Sequence, residues 1–506
     1  MDTLSIFGSA MGSILNPQYL ALMAAFVALG ILLGALPGIS VNMSLILALP
    51  LTYSMDTKTA MVVLLACYVG AMSGGLISAI TLNVPGTGSS IATTFDGHPM
   101  AMRGEAGKAV SLGILTSFVG GGISFVMLML IAPLIADFAL KFGPWEYFAV
   151  GVFSLTMIIG VAGDNLAKGV MAALIGMCLA MTGADPIGMV NRYNFGWHEL
   201  DGGITTTALM CGMFAVPEVL KLAMSRDDDK VEVMKMEELR GFGIPLLEYA
   251  RHWWNVLRSA VIGAYVGLLP GIGGSSASLL AYMTAKNQSK HPETFGTGEI
   301  DGLIASETSN NACIGGSMIP LLALGIPGSS SAAIVLSALT LHGIQCGPLA
   351  FSQNSDLIYS IFAILLVANV FMLIIERGVL KGYIKVLTAP RRIVMVVVMM
   401  MCFMGSYSAR NNFTDVYVFA IGGTLGYFLQ KAGIMRAPII LGYILSSIIE
   451  ENFVRALAMS RGNPMKLFNR PIAVTFLAIA VLSFCTSLYK ALKKQREKAA
   501  REAAKA

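Results

Sequence analysis

The sequence predicts an all-α polytopic membrane protein made of two inverted-topology repeats, with broken helices or re-entrant hairpins at Pro-Gly motifs. Three observations carry that prediction. Of 506 residues, 56% are hydrophobic and 12% charged, with a mean hydropathy of +0.72; the charged share is about half the roughly 25% of a soluble domain. Apolar stretches of membrane-spanning length recur along the chain, and two Pro-Gly motifs each occur twice, in the same order.

So few charges leave a lipid-facing exterior as the home of this chain and exclude disordered, collagen-like and disulfide-stapled classes. Glycine is enriched, 54 residues, as expected where helices pack closely or break within a membrane. Net charge is +5, but seven of the 34 Lys and Arg and two of the 29 Asp and Glu lie from Lys490 onward, so 27 of each remain elsewhere. A basic tail after the last apolar span is a positive-inside signal and gives no case for nucleic-acid binding. The seven cysteines form no C-x-x-C pair, so neither a zinc site nor a disulfide framework is expected.

The segment Met1 to Gln18 carries one charge, Asp2, and lacks a basic leader region, so the first span is expected to be retained. A ~30 Å hydrocarbon core takes ~20 apolar residues. Such stretches lie near 19–36, 59–82, 109–134, 145–163, 166–183 and 203–223, then near 256–269, 303–324, 355–376, 391–405, 415–430, 434–449 and 471–489. Shorter pieces at 41–53, 272–284 and 329–343 suit re-entrant hairpins or broken helices. One strongly polar stretch, Arg226 to Arg240, separates the two series. The expected divisions are a first transmembrane repeat over 1–225, a charged cytoplasmic linker over 226–252, a second repeat over 253–470, and a final helix with its basic tail over 471–506.

The repeat is visible residue by residue. Gly30 to Ile39 aligns with Gly263 to Ile272 at an offset of 233, with six of ten positions identical. Gly74-Gly75 and the run from Val84 through Pro85-Gly86 to Ser90 align with Gly315-Gly316 and the run from Ile326 through Pro327-Gly328 to Ser331, the offset drifting to 242. No Lys or Arg precedes Lys58, whereas Arg251 and Arg258 flank the start of the second repeat. Equivalent flanks therefore face opposite sides of the membrane, the arrangement of many secondary transporters. The same charges predict an odd number of spans, with the N-terminus outside and the C-terminus inside.

Each Pro-Gly break removes a donor and frees neighbouring backbone N–H and C=O groups, and exposed backbone at membrane depth must be buried in protein or line a wet cavity. Gly86, Thr87, Gly88, Ser89 and Ser90 follow Pro85, and Gly328, Ser329, Ser330 and Ser331 follow Pro327. Small hydroxyls and bare N–H groups at a helix start suit an anion, and a carboxylate is the expected guest. Carbonyls at the ends of interrupted helices suit a cation such as Na⁺, with Asn83, Asn310 and Asn311 as further oxygen donors. The candidate cation residues are Pro37, Gly38 and Asn42 in the first repeat and Pro270, Gly271, Asn310 and Asn311 in the second.

Glu307 lies inside an apolar span, where an ionisable group costs at least ~2.5 kcal/mol on insertion scales. Its expected roles are cation ligand, proton carrier or span-end residue near Asp301; Asp164 and Asn165 are expected at the interface. The five histidines are isolated, and no nucleophile elbow or phosphate loop is present in the sequence. ATP-driven transport and membrane hydrolysis thus find no support in the motifs.

A set of motifs extends over most of the chain: G-A-L-P-G-I from Gly34, N-V-P-G-T-G from Asn83, D-G-H-P-M-A from Asp96, G-L-L-P-G-I-G-G from Gly267, S-N-N-A from Ser309, G-I-P-G-S from Gly325, A-P-I-I-L-G-Y-I-L from Ala437 and E-E-N-F-V-R-A-L from Glu450. This set resembles the large membrane subunit of tripartite tricarboxylate transporters, the TctA-like family. The resemblance implies a bacterial inner-membrane symporter for tri- or dicarboxylates, coupled to Na⁺ or H⁺ and without a bound cofactor. It also implies a small four-span membrane subunit and a periplasmic solute-binding protein as partners; a homo-oligomer is compatible with it. The implied substrate site covers Asn83 to Ser90 and Gly325 to Ser331. Two departures, Ile39-Ser40-Val41-Asn42-Met43-Ser44 after the first break and Ser306-Glu307-Thr308-Ser309 before Asn310, leave the particular carboxylate open. Alternatives are an uncoupled anion channel or facilitator and, with less in its favour, an intramembrane enzyme.

Overall fold

The secondary structure follows from caps and breaks that the sequence supplies. A computed structural model describes residues 3–161, 166–185, 187–188, 190–224, 249–386 and 391–503. The charged stretch Arg226 to Arg240, and Asp164 with Asn165, lie outside the described residues. Almost everything described is helical. Ahead of the charged stretch lie α1 (Thr3–Ile14), α2 (Pro17–Ala35), α3 (Val41–Ala48), α4 (Thr57–Leu82), α5 (Ile91–Met100), α6 (Ala106–Ala139), α7 (Pro144–Val161), α8 (Leu166–Ala180) and α9 (Thr206–Met224). Beyond the linker come α10 (Trp253–Leu268), α11 (Gly273–Gln288), α12 (Ile300–Leu324), α13 (Ser330–Leu341), α14 (Ala350–Gln353), α15 (Ser355–Val386), α16 (Arg391–Ser408), α17 (Phe413–Lys431), α18 (Arg436–Met459) and α19 (Pro471–Ala503). A two-residue antiparallel pairing, Gly183 with Arg192 and Ala184 with Asn191, is the strand structure among the described residues.

Six of these helical segments are long and apolar enough to cross a membrane: 17–35, 57–82, 88–139, 355–378, 436–459 and 471–493. Leu130, Leu134, Val481 and Leu482 are exposed large apolar side chains on such helices. Exposed in water they would be costly, and in lipid they cost nothing. The protein is a multi-pass membrane protein of all-α class.

Contacts divide the chain into two compact units, Met1–Asp137 with Glu218–Ala409, and Phe138–Pro217 with Arg410–Ala506. Each draws on both halves of the sequence. The first unit is built around α4 and α12, whose side chains are buried on all faces from Thr59 to Thr81 and from Gly302 to Ala323. The α2 helix packs along α4, and α10 packs along α12. At α4 the start is set by Asp56, whose carboxylate accepts the Thr59 N–H at 3.1 Å and the Thr59 hydroxyl at 2.5 Å. Burial pushes that carboxyl up, but these hydrogen bonds outweigh it and hold it below the usual carboxylate range. In the second unit Arg192 pairs with Glu450 and the Thr205 hydroxyl donates to Asp415, while glycines of α17 face Leu209, Met213 and Val216 of α9.

Candidate functional site

The four Pro-Gly breaks all lie in the first unit, and matching positions adopt matching conformations. Helix α2 ends at Leu36 and α10 at Leu269. Two residues on, Gly38 has φ of 94° and Gly271 a φ of 87°, a left-handed region that glycine enters without a Cβ clash. Helices α4 and α12 end on Asn83 (φ 53°) and Gly325 (φ 73°), both left-handed, and these positions differ by the offset of 242 read from the sequence. The N–H of Gly86 donates to Gly75 O and that of Gly328 to Ser317 O, each at 3.4 Å. A Cβ on Gly86 would stand 2.3 Å from Gly34 O, and one on Gly328 would stand 2.2 Å from Gly267 O. Only glycine fits either place. The repeat is thus present in the backbone contacts as well as in the residues.

Side chains then link one repeat to the other. Asn42 Nδ2 donates to Ser330 Oγ at 2.9 Å, and the Ser331 hydroxyl donates to Asn42 Oδ1 at 2.6 Å. At the matching place, a Cβ on Gly88 would lie 3.0 Å from Ser275 Oγ; Ser275 corresponds to Asn42 and Gly88 to Ser330. The Tyr68 hydroxyl is 3.5 Å from both Ser317 Oγ and Ser329 Oγ. Thr87 Oγ1 is 2.9 Å from the hydroxyl oxygens of both Ser89 and Ser90. Ser329 also caps α13 through the Ala332 N–H at 3.1 Å.

The two predicted asparagines sit deep in α12. Asn310 Nδ2 donates to Met72 O at 3.4 Å and Asn311 Nδ2 to Glu307 O at 3.1 Å. Their carbonyl oxygens, Oδ1 of each, are buried without a hydrogen-bond partner. A Cβ at Gly274 would be 2.9 Å from Asn310 Oδ1 and 3.3 Å from Ser89 Cβ, so Asn310, Ser89 and the second-repeat hairpin share one neighbourhood. Buried acceptors without donors are costly, and amide oxygens are of the kind that can ligate a hard cation. Pro37, Pro270 and Pro327 are buried, Pro85 is partly so, and Asn83 is exposed. Asn83 makes no hydrogen bond to the other named residues; its part in the geometry is the left-handed turn that its counterpart Gly325 makes as well.

Among the described residues, no hydrogen bond or ion pair from Lys or Arg reaches Asn42, Tyr68, Ser89, Asn310, Asn311 or Ser329. The arrangement therefore offers backbone N–H groups, hydroxyls and amide oxygens. Two carboxylates that sequence reasoning did not place here are built in close by. Asp96 Oδ1 accepts the N–H groups of Gly296, Gly298 and Glu299, each at 2.8 Å. Glu376 on α15 is fully buried and accepts the Ser73 hydroxyl at 2.7 Å. Glu376 is masked in the sequence by its position at the end of an apolar run beside Arg377, where a charge reads as interfacial.

Comparison with known proteins gives this geometry a lineage. A sequence model of the tripartite tricarboxylate transporter TctA family matches residues 20–441. The chain belongs to that family. The match takes in all four breaks of this TctA-family chain, together with Asn42, Asn310 and Asn311. Two relatives come from Agrobacterium vitis. One, described as an uncharacterized 52.8 kDa protein in the TAR-I ttuC' 3' region, is 34% identical over 498 residues, 98% of this chain and 99% of the relative. The other, an uncharacterized protein in the TAR-II ttuC' 3' region, is 34% identical over 235 residues, 46% of this chain and 97% of the relative. No solved structure matches. Membership makes the TctA-family chain a membrane subunit of a transporter family named for tricarboxylates.

Proposed function

We propose that this chain is the large transmembrane subunit of a binding-protein-dependent secondary transporter that imports a di- or tricarboxylate by cation symport across a bacterial inner membrane. The observation that carries the reading is the pair of matched contacts between repeats, Asn42 with Ser330 and Ser331, and Gly88 beside Ser275. They gather four helix breaks rich in N–H and hydroxyl donors into one unit. Gly86 to Ser90 and Gly328 to Ser331 would hold the carboxylates through backbone and hydroxyl donors. Asn42, Asn310 and Asn311, with the carbonyls at Pro37-Gly38 and Pro270-Gly271, would hold the cation. A small four-span membrane subunit and a periplasmic solute-binding protein complete the system, the latter delivering substrate to the outer face.

The test is uptake of labelled di- and tricarboxylates by cells carrying the chain with these partners, with and without Na⁺ and with the proton gradient collapsed. Accumulation above the external concentration that vanishes with one of the gradients is expected; equilibration insensitive to both would favour an uncoupled facilitator. Ser331→Ala, Asn42→Ala and Asn311→Ala should each lower uptake at least about tenfold, a loss of roughly 1.4 kcal/mol, while the protein still reaches the membrane. Full uptake in all three would refute the site.

A further inference from the structure

Glu307 and Glu376 are both completely buried, and they come from different helices, α12 and α15. Glu307 has both oxygens occupied: the Thr93 hydroxyl of α5 donates to Oε1, and the Ser117 hydroxyl of α6 donates to Oε2 at 3.1 Å. Glu376 is occupied on one side only. Ser73 of α4 donates to Oε2 at 2.7 Å, and Oε1 is buried with no partner. Asn310, one turn on from Glu307, donates to Met72 O, and the next residue, Ser73, holds Glu376, so the two carboxyls flank the same stretch of α4. Five helices thus converge on two carboxyl groups and three hydroxyls.

No cation balances the pair among the described residues. On the elements packed against α12 and α15, Lys58 pairs with Asp356, and His252 and Arg258 are bound to Asp301, Asn255 and Gln288. The ring of His98 faces Ile80 O, and Asp96 holds three backbone N–H groups. Lys108 lies in the first turn of α6, Lys286 in the last turn of α11, and Arg377 is exposed. Tyr19, at the start of α2, and the buried Cys67, Tyr68, Tyr282 and Cys313 carry no charge in their ordinary forms. Two ionised carboxylates buried side by side repel and are both stripped of water, so one must be neutralised. A metal ion would need a larger cage of ligands, and no cluster of three or more acidic, His or Cys side chains exists among the described residues. A proton needs one free oxygen, which Glu376 Oε1 supplies.

We infer that Glu307 and Glu376 form a buried proton site, with Glu307 as the hydroxyl-bound carboxylate and Glu376 Oε1 as the atom that takes up and releases the proton during the transport cycle. Loading forms the Oε1–H bond with a proton from one aqueous face, and release breaks it toward the other, so the site changes by one proton and one charge. This inference rests on the transporter reading above and adds H⁺ as a coupling ion, bound apart from the cation that Asn42, Asn310 and Asn311 would hold.

Two measurements test it separately. Infrared titration of the full chain, purified with its membrane partner in lipid, should show a protonated-carboxyl C=O band near pH 7, where solvated carboxyls are ionised. Glu376→Gln should remove the band, and Ser73→Ala, which keeps the carboxyl and deletes its donor, should shift it. Absence of the band in the unaltered protein, or its persistence in Glu376→Gln, would overturn the site. In uptake assays Glu376→Gln should lose proton-driven accumulation at least tenfold yet still equilibrate substrate down its gradient. Normal accumulation by that variant would overturn the coupling role. If the unaltered protein imports no carboxylate, the transporter reading fails, and the infrared band alone decides whether the proton site exists.

Discussion

At the scale of single residues, Asp96 shows how one buried oxygen can join distant segments. Its Oδ1 accepts three backbone N–H groups from residues 200 to 203 positions away in sequence, fixing the loop that leads into α12. Gly302 is packed so tightly there that a Cβ would lie 2.1 Å from Asp96 Oδ2. Hydrogen bonds to a charged acceptor contribute about 1.5–3 kcal/mol, and each orphaned buried donor costs a further penalty. Asp96→Ala should therefore destabilise the protein by about 3 kcal/mol or more. Asp96→Asn, which keeps one acceptor oxygen and loses the charge, should cost roughly half as much, because charge-assisted bonds are about twice as strong as neutral ones. Thermal unfolding of the two purified variants checks the order; equal stability of Asp96→Asn and the unaltered protein would show that the charge contributes nothing.

At the scale of helices, close approach decides the packing. A Cβ on Gly30 or Gly34 would stand 2.4 Å from Cys67 O or 2.3 Å from Ala71 O, and one on Gly263 or Gly267 would stand 2.3 Å from Ser309 O or 2.6 Å from Cys313 O. Backbone lies at each contact and cannot rotate aside, so α2 on α4 and α10 on α12 use the small-residue seam typical of membrane helices. Gly34→Val and Gly267→Val should each cost about 3 kcal/mol, the upper end of overpacking penalties, whereas Gly8→Val, with no neighbour within 4 Å, should leave the unfolding temperature nearly unchanged. These glycines and the breaks beside them were legible in the sequence because Pro and Gly act on their own backbone, and because the two copies repeat them at fixed offsets. Asn42, Ser330 and Ser331 each stood out for a place after a break, but the contact between them did not, since nothing local specifies a partner 288 residues away. Glu376 was hidden for the same reason: its burial is decided by α4, while its neighbours in sequence suggest only a span end.

At the scale of the whole chain, the repeat offers a test of motion. Asn42 with Ser330, and Ser275 with Gly88, are copies of one contact made twice, since the partners correspond at offsets of 233 and 242. The first place is closed by side-chain hydrogen bonds and the second by close approach of Gly88 to Ser275 Oγ, so a two-state element could part at one place while the other holds. If hairpins part during transport, a covalent link across either contact must stop it. We therefore predict that Asn42→Cys with Ser330→Cys, and separately Gly88→Cys with Ser275→Cys, lose at least nine-tenths (~90%) of uptake on oxidation, equivalent to about 1.4 kcal/mol or more. Reduction should restore it in both pairs. The exposed Cys178 and Cys485 are replaced by Ser in the background so that the introduced thiols pair with each other, and each single cysteine should be indifferent to oxidant. A cross-linked protein that still accumulates substrate would show the contact to be fixed scaffold and would place the moving boundary elsewhere. Loss in one pair and full activity in the other would show that the two repeats, alike in sequence, divide the roles of gate and frame between them.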